Sequence, residues 1–363
     1  MSHSARLIAV LITIALAAAA AAGALSVLRN DSISDDETPE DDVSKSGFMG
    51  GPASGALYLS GKTLSRVDLD SGATERIGRM PTLDVHASPV TPWLAYVVPR
   101  APQTEQEPDF ISDPVLRVIN VDTNKDREIG DGFNPLWHPA APKLAYLQPT
   151  VERQCSGESC EGLFEIATFD VTTGERAVLT KPGRLNPLAW SGEQVLFADA
   201  ADLSTTYSVG PDGALDTVDL APSELWDASP DGRFLVRSAP GEAALIDLET
   251  NDETAIEVGN GVLAEGAWAP DSRHFAAAVL NEGRTKAHAV VVDASDGGIT
   301  PYTVALPGVL NVRWSPDARE FGFLTFVGAT NRVELNRCQV DRAASDCTIV
   351  GEQLRRTSLL RFD

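Results

Sequence analysis

The chain has 363 residues, and its 52 Asp and Glu against 29 Lys and Arg give a formal net charge of −23. Affinity for nucleic acid comes from Lys and Arg that neutralise phosphates, so this composition argues against DNA or RNA as a partner. The part after residue 54 alone carries 45 acids and 26 bases. We interpret this excess of acids as a determinant of solubility.

One long apolar segment lies near the N-terminus. After a short tail at residues 1–6, LIAVLITIALAAAAAAGALSVL at residues 7–28 carries no charge, and as a helix it matches a hydrocarbon core of roughly 30 Å. We predict an uncleaved transmembrane helix or signal anchor, and hence a single-pass protein of the cell membrane with the remainder on the extracytoplasmic side. The alternative is a cleaved signal peptide and secretion, since Ala22-Gly23-Ala24 is an acceptable small-residue cleavage site.

The next segment, residues 29–54, has a different composition. It contains seven acids between Asp31 and Asp42, together with Ser, Pro and Gly. Such a segment cannot bury enough apolar surface to form a core. We predict a flexible acidic linker, followed by a folded domain at residues 55–363.

A Trp-Ser-Pro-Asp motif recurs along this domain. The clearest copies are WSPDA at residues 314–318, WAPDS at 268–272 and ASPDG at 228–232; more divergent copies are ASPVT at 87–91, WHPAA at 137–141 and WSGEQ at 190–194. Ser, Pro and Asp suit the first three positions of a type I turn, and apolar runs flank each copy. A spacing of roughly forty to fifty residues, with several strands per unit, is typical of a β-propeller.

A second turn motif lies between successive copies of the first. It is seen in DLDSGATE, NVDTNKDRE, FDVTTGERA, DLETNDETA and DASDGGIT, whose Asp, Asn, Thr and Gly residues are typical of hairpin turns. Two turn motifs per unit predict four strands, which is one propeller blade.

The alternation of W-S-P-D-G and D-x-x-T-G resembles the TolB-type, WD-like propeller repeat of extracytoplasmic proteins. It extends over most of residues 55–363. The resemblance implies the fold and leaves the function open, because such propellers serve as binding platforms, as enzyme caps and as enzymes.

Counting the strands predicts seven blades. Three leading strands, from Ala56 to Arg79, and one trailing strand from Arg355 are left over when the other units are complete. Together they make one more blade, which joins the two ends and closes the ring without an open sheet edge. We therefore predict an all-β, seven-bladed β-propeller closed by its N- and C-terminal strands, with six blades and an accessory hairpin as the alternative.

The four cysteines form two local pairs, Cys155 with Cys160 and Cys338 with Cys347. The second pair flanks the turn in CQVDRAASDC, where opposed hairpin residues are within disulfide reach. We predict a disulfide for each pair. A metal site is not predicted, because neither spacing comes with a nearby His cluster.

Catalytic motifs are missing from the sequence. It contains no G-x-S-x-G, and its five His residues form no metal-binding spacing. We therefore predict no catalytic activity and no cofactor. The rival hypothesis is a lyase or lactonase that acts on a glycan or small molecule in the channel, where only His86 would lie nearby.

Two surfaces are candidate binding sites. The insertions Val98 to Pro114 and Gln148 to Gly162 fall on the same face of a four-stranded blade, and polar loops on a rigid scaffold commonly carry recognition. The mouth of the channel is the second candidate, because the inner strands begin there with polar residues in every repeat but one, which has Leu225: Asp84, Asn134, Asn186, Glu265 and Asn311. We predict a membrane-tethered module that binds a protein or another cell-envelope component of unknown identity.

Overall fold

The computed structural model describes residues 55–82, 84–100, 113–156, 159–222, 225–239, 242–259, 261–281, 287–306, 309–326, 332–340, 347–355 and 357–362. The predicted tail, transmembrane helix and acidic linker, and most of the first insertion, lie outside these residues. All secondary-structure elements within the described ranges are β-strands. Those ranges hold no helix with the length and apolar character needed to cross a membrane.

The strands form seven four-stranded antiparallel sheets. Blade 1 consists of β1 (Gly55–Ser60), β2 (Thr63–Asp68), β3 (Thr74–Arg79) and the last strand, β28 (Thr357–Phe362). Blade 2 consists of β4 (Val85–Ala87), β5 (Trp93–Pro99), β6 (Pro114–Asn120) and β7 (Lys125–Asp131). Blade 3 consists of β8 (Phe133–Trp137), β9 (Lys143–Ser156), β10 (Ser159–Asp170) and β11 (Arg176–Val178).

The remaining four blades follow the chain without interruption. Blade 4 consists of β12 (Leu185–Ser191), β13 (Gln194–Asp199), β14 (Asp202–Val209) and β15 (Leu215–Val218). Blade 5 consists of β16 (Leu225–Ala228), β17 (Phe234–Ala239), β18 (Glu242–Asp247) and β19 (Glu253–Ala255). Blade 6 consists of β20 (Val262–Trp268), β21 (His274–Leu280), β22 (Ala287–Asp293) and β23 (Ile299–Leu306), and blade 7 of β24 (Val309–Trp314), β25 (Glu320–Phe326), β26 (Arg332–Gln339) and β27 (Thr348–Arg355).

The position of a strand in its blade explains its composition. The second strands are apolar runs, such as HFAAAVL in β21, because neighbouring blades cover both of their faces, and the five central residues of β21 are all buried. The outermost strands are polar, such as KDREIGD in β7, whose residues are exposed or half-buried. The core therefore consists of apolar layers between adjacent blades.

The Trp-Ser-Pro-Asp motif is a hairpin turn, as predicted. In blade 7 the Ala318 N–H donates to the Ser315 carbonyl at 3.0 Å, which is the hydrogen bond of a type I turn. The Asp317 carboxylate accepts from Ser315 Oγ at 2.8 Å and from the Arg319 N–H at 3.2 Å. The bond from Ser315 lowers the pKa of Asp317, so this aspartate is a structural residue of the turn.

The Trp of the motif joins neighbouring blades, a role that the sequence analysis did not assign. Three indole N–H groups donate to a backbone carbonyl on the inner strand of the preceding blade: Trp137 to His86 at 2.9 Å, Trp190 to Leu136 at 3.0 Å and Trp314 to Ala267 at 2.8 Å. Trp268 is the exception, because its buried Nε1 has no hydrogen-bond partner among the described residues.

Blade 1 closes the ring as predicted, and the six-bladed alternative is wrong. Strand β28 pairs with β1 in antiparallel register from Ala56–Phe362 to Ser60–Thr357. Leu359 and Phe362 are buried in one cluster with residues of blades 1 and 7. Arg337 of β26 binds Glu320 of its own blade at 2.8 Å and, across the same junction, Asp70 of blade 1 at 3.1 Å.

The predicted disulfide between Cys338 and Cys347 is confirmed. It links the end of β26 to the residue before β27, with 4.2 Å between the two Cα atoms. Cys155 and Cys160 are register partners on β9 and β10, but their side chains lie outside the described residues. The second disulfide therefore stays a prediction.

The strand connections define two ends of the propeller. The turn face carries the Trp-Ser-Pro-Asp turns and the turns between third and fourth strands, and the loop face carries the turns between second and third strands and the links between blades. The predicted loop at Gln148 to Gly162 is wrong, because these residues extend the β9–β10 hairpin on the loop face. Pro149 is tolerated because β8 pairs with β9 only as far as Leu147, so the missing Pro149 N–H breaks no bond to a third strand.

Candidate functional site

The seven inner strands surround the central channel that is typical of a propeller. Six of them are irregular, because a register shift interrupts the pairing between the inner strand and the adjacent strand of the same blade. Asn134 and Asn311 lie in two of these β-bulges with φ of 53° each. Asn is one of the few residues that tolerate this left-handed conformation. The backbone conformation therefore explains why Asn occurs at these two positions in the channel.

Three of the predicted channel-mouth residues, Asn134, Asn186 and Asn311, make hydrogen bonds between neighbouring blades. Asn134 of blade 3 donates through Nδ2 to Asn186 Oδ1 of blade 4 at 3.3 Å, and Asn311 Oδ1 of blade 7 accepts from the Leu359 N–H of blade 1 at 3.1 Å. Asp84 Oδ1 lies 2.8 Å from His86 Nε2. The side chain of Glu265 lies outside the described residues. A polar mouth is therefore present in three places, and ligand binding there stays a prediction.

Two charged channel residues escaped the sequence analysis. Asp227 and Arg313 each directly precede the first residue of the turn motif, where the other copies have His86, Leu136, Ala189 and Ala267. Aligning the repeats at this one position would have revealed them.

Arg313 stabilises the bulged strands around it. Its Nη1 donates to the Val312 carbonyl at 2.7 Å and its Nε to the Leu360 carbonyl of blade 1 at 3.3 Å. The bond to Leu360 crosses the junction at which the ring closes. Arg313 therefore holds backbone carbonyl groups of two adjacent inner strands.

Asp227 has the properties of a residue that lines an internal channel. Its side chain is only half-buried, yet protein surrounds it densely enough that burial raises the pKa of the carboxyl to about 7. A hydrogen bond from the Ala228 N–H, at 2.8 Å, and the charge of Arg313 oppose this shift without cancelling it. Asp227 is thus a carboxyl group that titrates near neutral pH.

Replacing Asp227 by Asn is expected to stabilise the protein at high pH. The folded-state pKa of about 7 exceeds the ordinary value of 3.8 for an Asp carboxyl. The native state therefore binds a proton that the unfolded chain has lost, and the protein loses stability as the pH rises between these two values. Asn does not titrate. We expect Asp227→Asn to raise the free energy of unfolding by about 2 kcal/mol above pH 8, with channel water reducing the full effect of the shift, and to change it little at pH 4. Urea unfolding at both pH values measures this difference, and an equal effect at both would contradict the assignment.

The described residues offer no evident metal centre. Nowhere in the described ranges do three or more His, Cys, Asp or Glu side chains converge as ligands. His138 of blade 3 is buried against Trp190, with 4.7 Å between ring centroids, and burial lowers its pKa. Its Nδ1 accepts from the Ala140 N–H at 3.0 Å, so it shapes a turn.

Comparison with known proteins identifies the fold and no closer relationship. No family model matches the chain, and no curated protein matches it. TolB from Acinetobacter baumannii is similar at 15% identity and a TM-score of 0.48, over 85% of this chain and 82% of that one.

Two similar structures belong to enzymes. A prolyl endopeptidase matches at 13% identity and a TM-score of 0.56, over 84% of this chain and 50% of its own. An oligogalacturonate lyase in complex with manganese matches at 14% identity and a TM-score of 0.51, over 77% of this chain and 83% of that one. This chain spans only half of the endopeptidase. At such identities the likeness shows the fold alone, and together with the strand topology it identifies the described chain as a seven-bladed β-propeller.

Proposed function

We propose that this protein is an extracytoplasmic, membrane-tethered binding module that engages a protein or cell-envelope component through its loop face, without catalysis of its own. The β9–β10 hairpin is the main contact in this proposal. It extends beyond the strands that flank it, because β8 pairs with β9 only up to Leu147 and β11 pairs with β10 only at Ala167 to Phe169.

The observation that carries the proposal is the position of Val151. Its side chain is 99% exposed on the projecting part of the hairpin, and burying such a side chain stabilises a complex by about 1.5–3 kcal/mol at most. The predicted Cys155–Cys160 disulfide would rigidify the same hairpin. A projecting hairpin that carries an exposed apolar side chain supports a role in recognition.

The tether supports the same orientation of the binding surface. Strand β1 begins at Gly55 on the turn face, so the linker at residues 29–54 joins the propeller at the end opposite to the loop face.

The proposal is tested by chemical crosslinking and pull-down of the full chain from cell-envelope extract. The first variant is Val151→Asp; the second joins Pro149 to Phe164, which are register partners, through an Asn-Gly turn. The matched control is Leu215→Asp, because Leu215 is 58% exposed on the turn face. We expect both hairpin variants to lose at least about tenfold in partner recovery, a loss of 1.4 kcal/mol, and the control to lose nothing.

Two results would argue against this function. Recovery of the same partners by the shortened variant would show that the hairpin is not the contact. Turnover of a glycan or lactone by the full chain, abolished by a chelator, would favour a channel-site enzyme instead.

A further inference from the structure

Tyr146 of blade 3 carries a hydroxyl group without a hydrogen-bond partner. Its side chain is 0% exposed, and its hydroxyl oxygen has no partner among the described residues. Burial raises the pKa of Tyr146, and the positive charge of Arg176 opposes that shift, so the guanidinium group lies near the hydroxyl. Leaving a buried donor unpaired lowers the stability of the folded state. The described part of the chain therefore lacks an acceptor for this hydroxyl.

Blade 2 shows what the equivalent tyrosine binds. Tyr96 ends the sequence LAY in β5, as Tyr146 ends the sequence LAY in β9. The Tyr96 hydroxyl donates to Asp126 Oδ2 at 2.9 Å. Arg117 Nε donates to Asp126 Oδ1 at 3.3 Å and to the Tyr96 hydroxyl at 3.2 Å. In blade 2, a carboxylate thus joins the tyrosine to an arginine.

Blade 3 places an arginine beside its tyrosine where blade 2 has the carboxylate. Arg176 of β11 has the register position in blade 3 that Asp126 of β7 has in blade 2. Its guanidinium carbon lies 5.8 Å from the centroid of the Tyr146 ring, and its Nη2 donates to Gln148 Oε1. Arg176 is exposed, and it forms no ion pair with a described residue.

A second arginine lies on the facing side of blade 2. Arg127 of β7 reaches blade 3, where its guanidinium carbon is 4.7 Å from the centroid of Phe169, the register partner of Arg176. Arg176 in turn reaches blade 2, because a Cβ on Gly130 would lie 3.6 Å from its Nη1. Arg127 also forms no ion pair with a described residue. In a chain with 52 acids and 29 bases, two such arginines at one rim attract an anion.

We propose that Tyr146, Arg176 and Arg127, together called the rim site, bind a carboxylate group of a ligand. The carboxylate takes the place that Asp126 fills in blade 2: one oxygen accepts from the Tyr146 hydroxyl and the other from the Arg176 guanidinium group. Arg176 covers the tyrosine from the exposed side, and its long side chain rotates away from Gln148 to admit the group. Arg127 adds attraction from the facing blade.

The chain's own Glu165 is the competing explanation. It is the register partner of Gln148, although it forms no ion pair with a described residue. Replacing Glu165 by Gln separates the two explanations. We expect Glu165→Gln to unfold at the wild-type temperature. A lower unfolding temperature would show that Glu165 already pairs with Arg176, and would overturn the proposal.

Two tyrosine substitutions form a matched pair for thermal unfolding. Tyr96→Phe removes the bond to Asp126 and should lower the unfolding temperature. Tyr146→Phe removes a hydroxyl without a partner and should unfold at the wild-type temperature or above it. If Tyr146→Phe lowered the temperature as much as Tyr96→Phe, a water molecule or another group would already satisfy the hydroxyl, and the rim site would be refuted.

The binding test titrates the full chain by calorimetry with glutarate, a small organic acid, and with end-blocked tetra-glutamate, which represents an acidic protein segment. We expect Tyr146→Phe and Arg176→Gln each to weaken binding by about tenfold or more. The controls are Tyr96→Phe and Arg273→Gln, which removes an exposed base on the turn face, and both should stay within about twofold of the wild type. The probe that binds more tightly identifies the source of the carboxylate.

Three binding results contradict the rim site. Binding of neither probe would remove it, and equal weakening in the controls would mean general attraction between charges. Tighter binding of inorganic phosphate, lost in the same variants, would replace the carboxylate by a phosphate group. The hairpin contact at Val151 is separate from these outcomes, because the pull-down tests it independently.

Discussion

A chain that ends at Arg355 is expected to lose its native fold. This deletion removes β28, whose Leu359, Leu360 and Phe362 are 1%, 7% and 1% exposed. Burial of each such side chain is worth about 1.5–3 kcal/mol, and the total stability of a domain is about 5–15 kcal/mol. The loss also leaves β1 as an unpaired edge in the channel. Circular dichroism during heating and size-exclusion chromatography should show an aggregating protein without a cooperative transition.

The matched control removes only Asp363, which lies beyond β28. It should unfold at the same temperature as the full chain. If the chain ending at Arg355 stayed monomeric and unfolded at an unchanged temperature, the closure of blade 1 by β28 would be refuted.

Phe362→Ala is expected to destabilise the propeller by about 3–5 kcal/mol, the usual cost of removing a buried aromatic ring. The ring packs directly over Gly322 of β25: a Cβ on Gly322 would lie 2.6 Å from Phe362 Cε2. No side chain of β25 at that position can fill the cavity. Equilibrium unfolding in urea measures the loss.

The contact between Phe362 and Gly322 predicts a specific coupling. Gly322→Ala should destabilise the wild type by about 1–3 kcal/mol through overlap with the ring, and should be neutral or stabilising in the Phe362→Ala protein because the added methyl group enters the cavity. Gly162→Ala is the control, since its Cβ would meet only Phe164 at 3.9 Å. Additive effects of the two core substitutions would contradict the packing described for this junction.

Local sequence patterns predicted the parts of the fold that local interactions determine. The Ser-Pro-Asp turn closes through atoms of Ser315, Asp317 and Ala318, and the Cys338–Cys347 disulfide spans one hairpin. The seventh blade was predictable because three strands at one end and one at the other had no other partners. The hairpin at Gln148 to Gly162 was mistaken for a loop because Pro149 reads as a strand breaker, although it lies where only β10 is a neighbour.

The candidate sites depended on contacts between repeats, which are harder to predict. Three of the four Trp residues of the motif donate to a backbone carbonyl 47 to 54 residues away. Because every residue type offers the same backbone carbonyl, the sequence does not reveal such an acceptor. Asn134 and Asn186 were predicted to share the channel mouth, but their hydrogen bond depends on two neighbouring inner strands.

The pairing of β1 with β28 also constrains how the protein folds. Ala56 and Phe362 pair with each other although nearly the whole sequence of the domain lies between them. Blade 1 therefore cannot form until β28, its inner strand and the last strand in the sequence, is available. Until then the apolar surface of β1 and the inner face of blade 7 remain exposed to other chains. Proteins dominated by such distant pairings fold slowly and are prone to aggregate while incomplete. A circular permutant would join the original ends of the domain and open new ends in the loop-face turn between β17 and β18. Strands β28 and β1 would then form one hairpin, and the last step of folding should be faster.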